Sequence, residues 1–137
     1  MKHLALTMIL GVGVLAATAK AEAWLTDFAQ AQTEASAQRR LILANFSGSD
    51  WCTWCIRLDK EVLAQPAFLK YAQENLVLFC ADFPHQSEQP AALKKQNEAL
   101  AATYKIRGFP TVLLLDATGK ELERLGYRPG GAAPYIE

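Results

Sequence analysis

Two cysteines stand three positions apart in the stretch FSGSDWCTWCIRL (residues 46–58), Cys52 directly after Trp51 and Cys55 directly after Trp54. On a helix this spacing puts both thiols on one side, one turn apart and near enough to bond to each other. Three chemistries use such a pair: a metal clamp, a structural disulfide, or a dithiol that cycles between reduced and oxidised states. Zinc wants four ligands, and after residue 21 the other candidates are His85 and Cys80, the latter inside an apolar run. A c-type haem site needs histidine after the second cysteine, where this chain has Ile56. A disulfide closing so small a loop would constrain the unfolded chain little. A redox cycle needs a thiolate at working pH. The thiol of a free cysteine has a pKa of about 8.5, and the positive end of a helix brings it down to roughly 3.5–7.5. Ser49 or Asp50 is placed to cap a helix here. Cys52 is then expected in its first turn, as nucleophile, and Cys55 one turn deeper, as resolving thiol.

The elements around the pair follow from apolar periodicity. Trp24, Leu25, Phe28, Ala31 and Ala35 recur at helical steps, with Thr26 or Asp27 as cap. Leu41–Phe46 is a short apolar run suited to a buried strand. The SGSD break follows it, then a helix carrying Ile56, Leu58 and Val62. Pro66 marks a new helical start. Leu76–Phe83 is a second buried strand, in which Cys80 is expected to be an inert core thiol. Pro84–Pro90 is a polar loop, read as a connector. The next helix has Leu93, Asn97, Leu100 and Tyr104 on one stripe. A third strand starts at Thr111, and a tight turn at Ala117–Gly119 leads to a fourth, paired as a hairpin. Strands that alternate with helices and end in a hairpin predict an α/β domain. It should have a mixed sheet of about four strands with helices on both faces.

The chain has 137 residues, 51% of them hydrophobic, and no formal net charge. That suffices for one domain with a real core. Nothing is basic enough for a nucleic-acid footprint, so no nucleic-acid partner is expected. Lys2 and His3, the uncharged run Leu4–Ala19 and the small residues of AKAEA (residues 19–23) form the three regions of a secretory signal peptide. The organisation expected is therefore a signal peptide over 1–21 and a domain over 22–137. The apolar run is short for a membrane span. Export would place the cysteines where disulfides persist.

A second motif, YKIRGFPTVLLLD (residues 104–116), joins the first. Together with DWCTWC and the terminal hairpin it resembles the thioredoxin family. There a Trp-Cys-x-x-Cys follows a central strand, and a cis-proline in Gly-x-Pro-Thr lies opposite the cysteines. Trp51, Cys52, Cys55, Gly108, Pro110 and Thr111 carry the pattern. The entry FSGSDWC and the segment Asp82-Phe83-Pro84 are similar to exported thioredoxin-like proteins and to the periplasmic C-terminal domain of membrane thiol–disulfide interchange proteins. The resemblance implies a thioredoxin fold and an exported thiol–disulfide oxidoreductase with Cys52 and Cys55 as catalytic residues. Trp51, Thr53, Trp54, Phe109 and Pro110 would meet the substrate. It implies no metal and no organic cofactor. Its partners would be disulfide-containing exported clients and a membrane or thioredoxin-like electron donor, in the periplasm or cell envelope of a bacterium. It favours reduction or isomerisation of disulfides. An oxidase using the same residues, or a non-catalytic binding module, are the alternatives.

Three features depart from the family. Where it has a buried Asp that assists proton transfer, allowance for one extra loop residue puts Asn45, whose amide cannot act as a base. Asp59 or Glu61 could substitute only if the fold brings one close. The dipeptide between the cysteines is Thr53-Trp54 instead of Gly-Pro, at positions that tune a potential spanning about −270 to −120 mV among relatives. The final segment GGAAPYIE supplies barely one turn, so a shortened C-terminal helix is expected.

Overall fold

Strand β1, Leu41–Ser47, is buried at every residue after Leu41, as a central strand covered on both faces must be. The structure, a computed structural model, describes residues 24–136. The segment expected to be a signal peptide lies outside the described residues. Strand β2, Leu76–Asp82, runs parallel to β1, in register from Leu41 opposite Leu76 to Ser47 opposite Asp82. On the other side of β1, strand β3, Thr111–Leu115, pairs antiparallel, with Val112 opposite Asn45. Strand β4, Glu121–Leu125, completes the hairpin. The order β2-β1-β3-β4 makes the mixed four-stranded sheet expected from the element pattern. Glu121, Glu123 and Arg124 put charge along the exposed edge strand, which blunts it against pairing with another chain.

The two-residue period of the strands sends alternate side chains to two cores. Ile42, Ala44 and Phe46 meet Phe79, Leu113 and Leu115 on one face. Helix α1, Phe28–Gln38, covers that face through Ala31 and Ala35, and helix α4, Ala91–Thr103, through Leu100. Leu43, Leu78 and Val112 point to the other face. Helix α2, Thr53–Leu58, lies there and continues as a π-helical turn over Asp59–Leu63 that buries Val62 and Leu63. Helix α3, Pro66–Asn75, adds Phe68 and Ala72. Proline at its first position has the φ a helix needs, and its missing N–H leaves nothing unpaired. The one-turn helix α5, Ala133–Ile136, sets Tyr135 against the same core.

The N-terminal helix starts after Asp27, one of the two caps expected, which leaves Trp24 and Leu25 of the periodic set outside it. Asp27 caps it, accepting the Gln30 N–H at 2.9 Å. Trp24 and Leu25 precede it as extended chain. Leu25 donates to the Leu78 carbonyl and accepts from the Cys80 N–H, both at 2.9 Å. Those bonds satisfy backbone groups on the open side of β2, which outweighs the weak helical preference of two residues.

Candidate redox site

The chain leaves β1 at Ser47 and turns into α2 within five residues. The first helical N–H groups need acceptors, and the residue that serves is Cys52 itself. It is the N-cap of α2, in extended conformation, and its Sγ accepts the Cys55 N–H at 3.2 Å. This corrects the expectation that Ser49 or Asp50 caps the helix with Cys52 inside the first turn. Ser49 and Asp50 are drawn instead to stronger partners across the loop. Cys52 and Cys55 are joined as a disulfide, Cα to Cα 5.2 Å. Cys55 Sγ also accepts the Gly48 N–H, at 3.4 Å. Each sulfur thus has a backbone donor aimed at it, and donors to sulfur favour the thiolate over the thiol. The pair is recessed, Cys52 7% and Cys55 3% exposed, while Trp51 and Trp54, each directly before one of the cysteines, are exposed.

Trp51 is fixed on several sides. Its indole N–H donates to the Phe83 carbonyl at 2.7 Å. The His85 ring stacks on it, centroids 4.1 Å apart and planes 3° from parallel. Phe109 meets it edge-on at 5.8 Å and also packs on Phe83 at 5.1 Å. A Cβ at Gly48 would lie 2.4 Å from the Trp51 ring, so only glycine leaves room for the indole. The Phe109–Pro110 peptide bond is cis, and contact between Phe109 and Trp51 sets that segment beside the cysteine pair. Thr53 is exposed, and Pro110 is half-buried.

The loop from Pro84 to Pro90 is more than a connector. The Asp50 carboxylate accepts the N–H groups of His85, Gln86 and Ser87 at 2.9, 2.8 and 3.1 Å. These bonds, the one from His85 foremost, hold its carboxyl below the ordinary value. Ser49 donates its N–H and hydroxyl to Asp82 at 3.0 and 2.6 Å. The sequence reading named His85 only as a zinc-ligand candidate and Asp50 only as a helix cap, and missed the stacking of one on Trp51 and the loop bonds of the other. The motif Asp82-Phe83-Pro84, noted only for its resemblance, was the signal at hand.

Trp54 lies on the other flank, beside Tyr127 beyond β4, with ring centroids 5.1 Å apart. The Tyr127 hydroxyl donates to Glu61, and Arg57 Nε donates to the same carboxylate at 2.9 Å. Those bonds, Tyr127 first, hold Glu61 below the usual carboxylate range. Glu61 is therefore committed elsewhere and does not stand in for the missing buried Asp. Asp59 is exposed. Asn45 is buried, and its Oδ1 has no hydrogen-bond partner among the described residues. Cys80 is its neighbour in register on β2. Cys80 and His85 form no metal-ligand group with the pair among the described residues.

The thioredoxin-like domain family matches residues 28–133, which contain the whole of this arrangement. The chain belongs to the thioredoxin-like family. Disulfide bond reductase DsbH of Chlamydia pneumoniae is 38% identical over 109 residues, 80% of this chain and 66% of that protein. Thioredoxin-related protein DsbJ of the same organism is 32% identical over 103 residues, 75% of this chain and 30% of that one. The chain thus spans 66% and 30% of the length of these two relatives. A solved structure of DsbH oxidoreductase superposes with a TM-score of 0.80 at 32% identity, covering 98% of this chain and 90% of that one. The thioredoxin fold read from the two motifs is the fold observed, and thiol–disulfide exchange is the chemistry that this family and the Cys52–Cys55 pair have in common.

Proposed function

We propose that the protein is an exported disulfide reductase that works through a Cys52/Cys55 cycle in the bacterial cell envelope. The observation that carries this is the recessed cysteine pair, with a backbone N–H directed at each sulfur, in a chain 38% identical to a disulfide bond reductase. Reduced Cys52, as thiolate, attacks one sulfur of a client disulfide. That bond breaks, the client's other sulfur leaves as thiolate and takes a proton from water, and a mixed disulfide forms. Cys55 loses its proton and attacks Cys52 Sγ. The Cys52–Cys55 bond forms, and the second client thiolate leaves. Two electrons have passed from the pair to the client. A dithiol donor, in the membrane or on another thioredoxin-like domain, returns them through the reverse exchange. The Gly48 N–H supports negative charge on Cys55 where Asn45 brings an amide and not a carboxylate.

Phe109, Pro110, Trp51, Thr53 and Trp54 form the client-facing rim in this reading. Backbone beside Phe109 is free to pair with an extended client segment, because proline brings no N–H to compete. The uncharged stretch at residues 4–19 and the small residues after it support export. The test is a pair of variants. Cys52→Ser is expected to abolish insulin reduction, and Cys55→Ser to accumulate a client mixed disulfide that dithiothreitol releases. Wild-type rates in both variants would sink the proposal.

A further inference from the structure

Beside the recessed pair the surface is apolar and fixed. Trp54 is 52% exposed, Ile56 49% and Trp51 37%. Single exposed apolar residues are ordinary, but a cluster around a reactive centre marks an interaction surface. Trp54 is not loose. Arg57 lies 5.1 Å from its ring centroid and 5.2 Å from that of Tyr127, bridging the two rings. Glu61 anchors both Arg57 and Tyr127 from the next turn of the same helical run. We propose that Trp54 is a pre-set docking platform for an apolar side chain that the client carries next to its disulfide, with Arg57, Glu61 and Tyr127 as positioning residues. This rests on the reductase reading and names what that site selects.

Three arguments support the platform. Trp54 is two residues from Cys52 in the chain and exposed, so a client sulfur bonded to Cys52 has its sequence neighbours within reach of this ring. A side chain already held by its neighbours loses little rotamer freedom on binding, so contact is favoured over that to a mobile residue. The Arg57 charge is matched by Glu61, so this polar support adds no net charge. The preferred occupant is therefore an apolar stretch of extended polypeptide, not an acidic one.

The experiment compares two oxidants of the pre-reduced full chain. Insulin carries its disulfides in a polypeptide, and oxidised glutathione has no apolar side chains. Second-order rates are read by acid quench and thiol alkylation. Trp54→Ala is expected to lower the ratio of the insulin rate to the glutathione rate at least fivefold. Arg57→Ala should lower it by a smaller factor, and Arg57→Lys, which keeps a cation at the ring, should recover part of the loss. A purely structural role would slow both oxidants alike. A ratio within twofold of wild type in Trp54→Ala overturns the platform, and an unchanged ratio in Arg57→Ala overturns the positioning role. A wild-type protein that reduces neither oxidant overturns the reductase reading, and the platform with it.

Discussion

Cys80 sits on β2 in register with Asn45, a strand away from the redox pair. Burial pushes its thiol up to about 12, and the carboxylates of Asp82 and Asp59 add to the effect. Against an ordinary value of 9.0, that leaves roughly a thousandfold less thiolate at neutral pH. Reduced native protein treated with iodoacetamide at pH 8 is therefore expected to take up its first label at Cys52, with Cys80 labelled only after denaturation. Labelling of Cys80 at the rate of Cys52 would contradict this. An apolar strand and a Cys-x-x-Cys flanked by turn residues are local signals that separate these thiols in the sequence, but Cys80 is half-buried and not the fully buried core thiol expected. The sequence did not reveal that Cys52 caps its own helix. Capping is decided by which acceptors the rest of the fold has already claimed. Here Asp82 claims Ser49, and the backbone of residues 85–87 claims Asp50.

At the scale of elements, the sheet and most helices were legible from periodicity and proline placement. The exceptions are places where chain distant in sequence competes. Leu25 leaves the predicted helix for the β2 edge. The loop at residues 84–90 is bonded to a turn 35 residues earlier, which no local pattern encodes. The Asp50 carboxylate makes that bond, and its depressed value fixes the sign of a pH effect. A carboxyl with a folded-state pKa below its unfolded one contributes stability above the unfolded value, 3.8, and loses it as pH falls through the folded value. Wild type is expected to exceed Asp50→Asn in urea midpoint near neutrality, with the difference closing as pH drops below 3.8. A difference constant from pH 7 to pH 2 would show that the carboxylate charge is not what holds the loop.

On the scale of the whole molecule, the fold brings the cysteine loop after β1, the cis-proline segment before β3 and the loop after β2 to one end of the sheet. That convergence follows from the order β2-β1-β3-β4; the sequence reading reached a mixed sheet ending in a hairpin, without this order. The short C-terminal helix was also expected. Its Tyr135 hydroxyl donates to the Gly126 carbonyl at 2.7 Å and accepts the Arg128 N–H at 2.7 Å. Beside it a hollow of about 480 Å³ of mixed character remains, lined by Leu41, Leu114, Leu125, Asn75, Glu123 and Arg128 among others. What sequence could not supply is the direction of electron flow, because the effect of Thr53-Trp54 on the pair depends on how tightly the surrounding donors hold each sulfur. The equilibrium of Cys52–Cys55 with graded dithiothreitol and glutathione buffers measures that directly, with thiol alkylation as readout on the chain from residue 22. The reductase account predicts a potential near the thioredoxin end of the range, about −270 mV. A value near about −120 mV would make the protein an oxidant and contradict it.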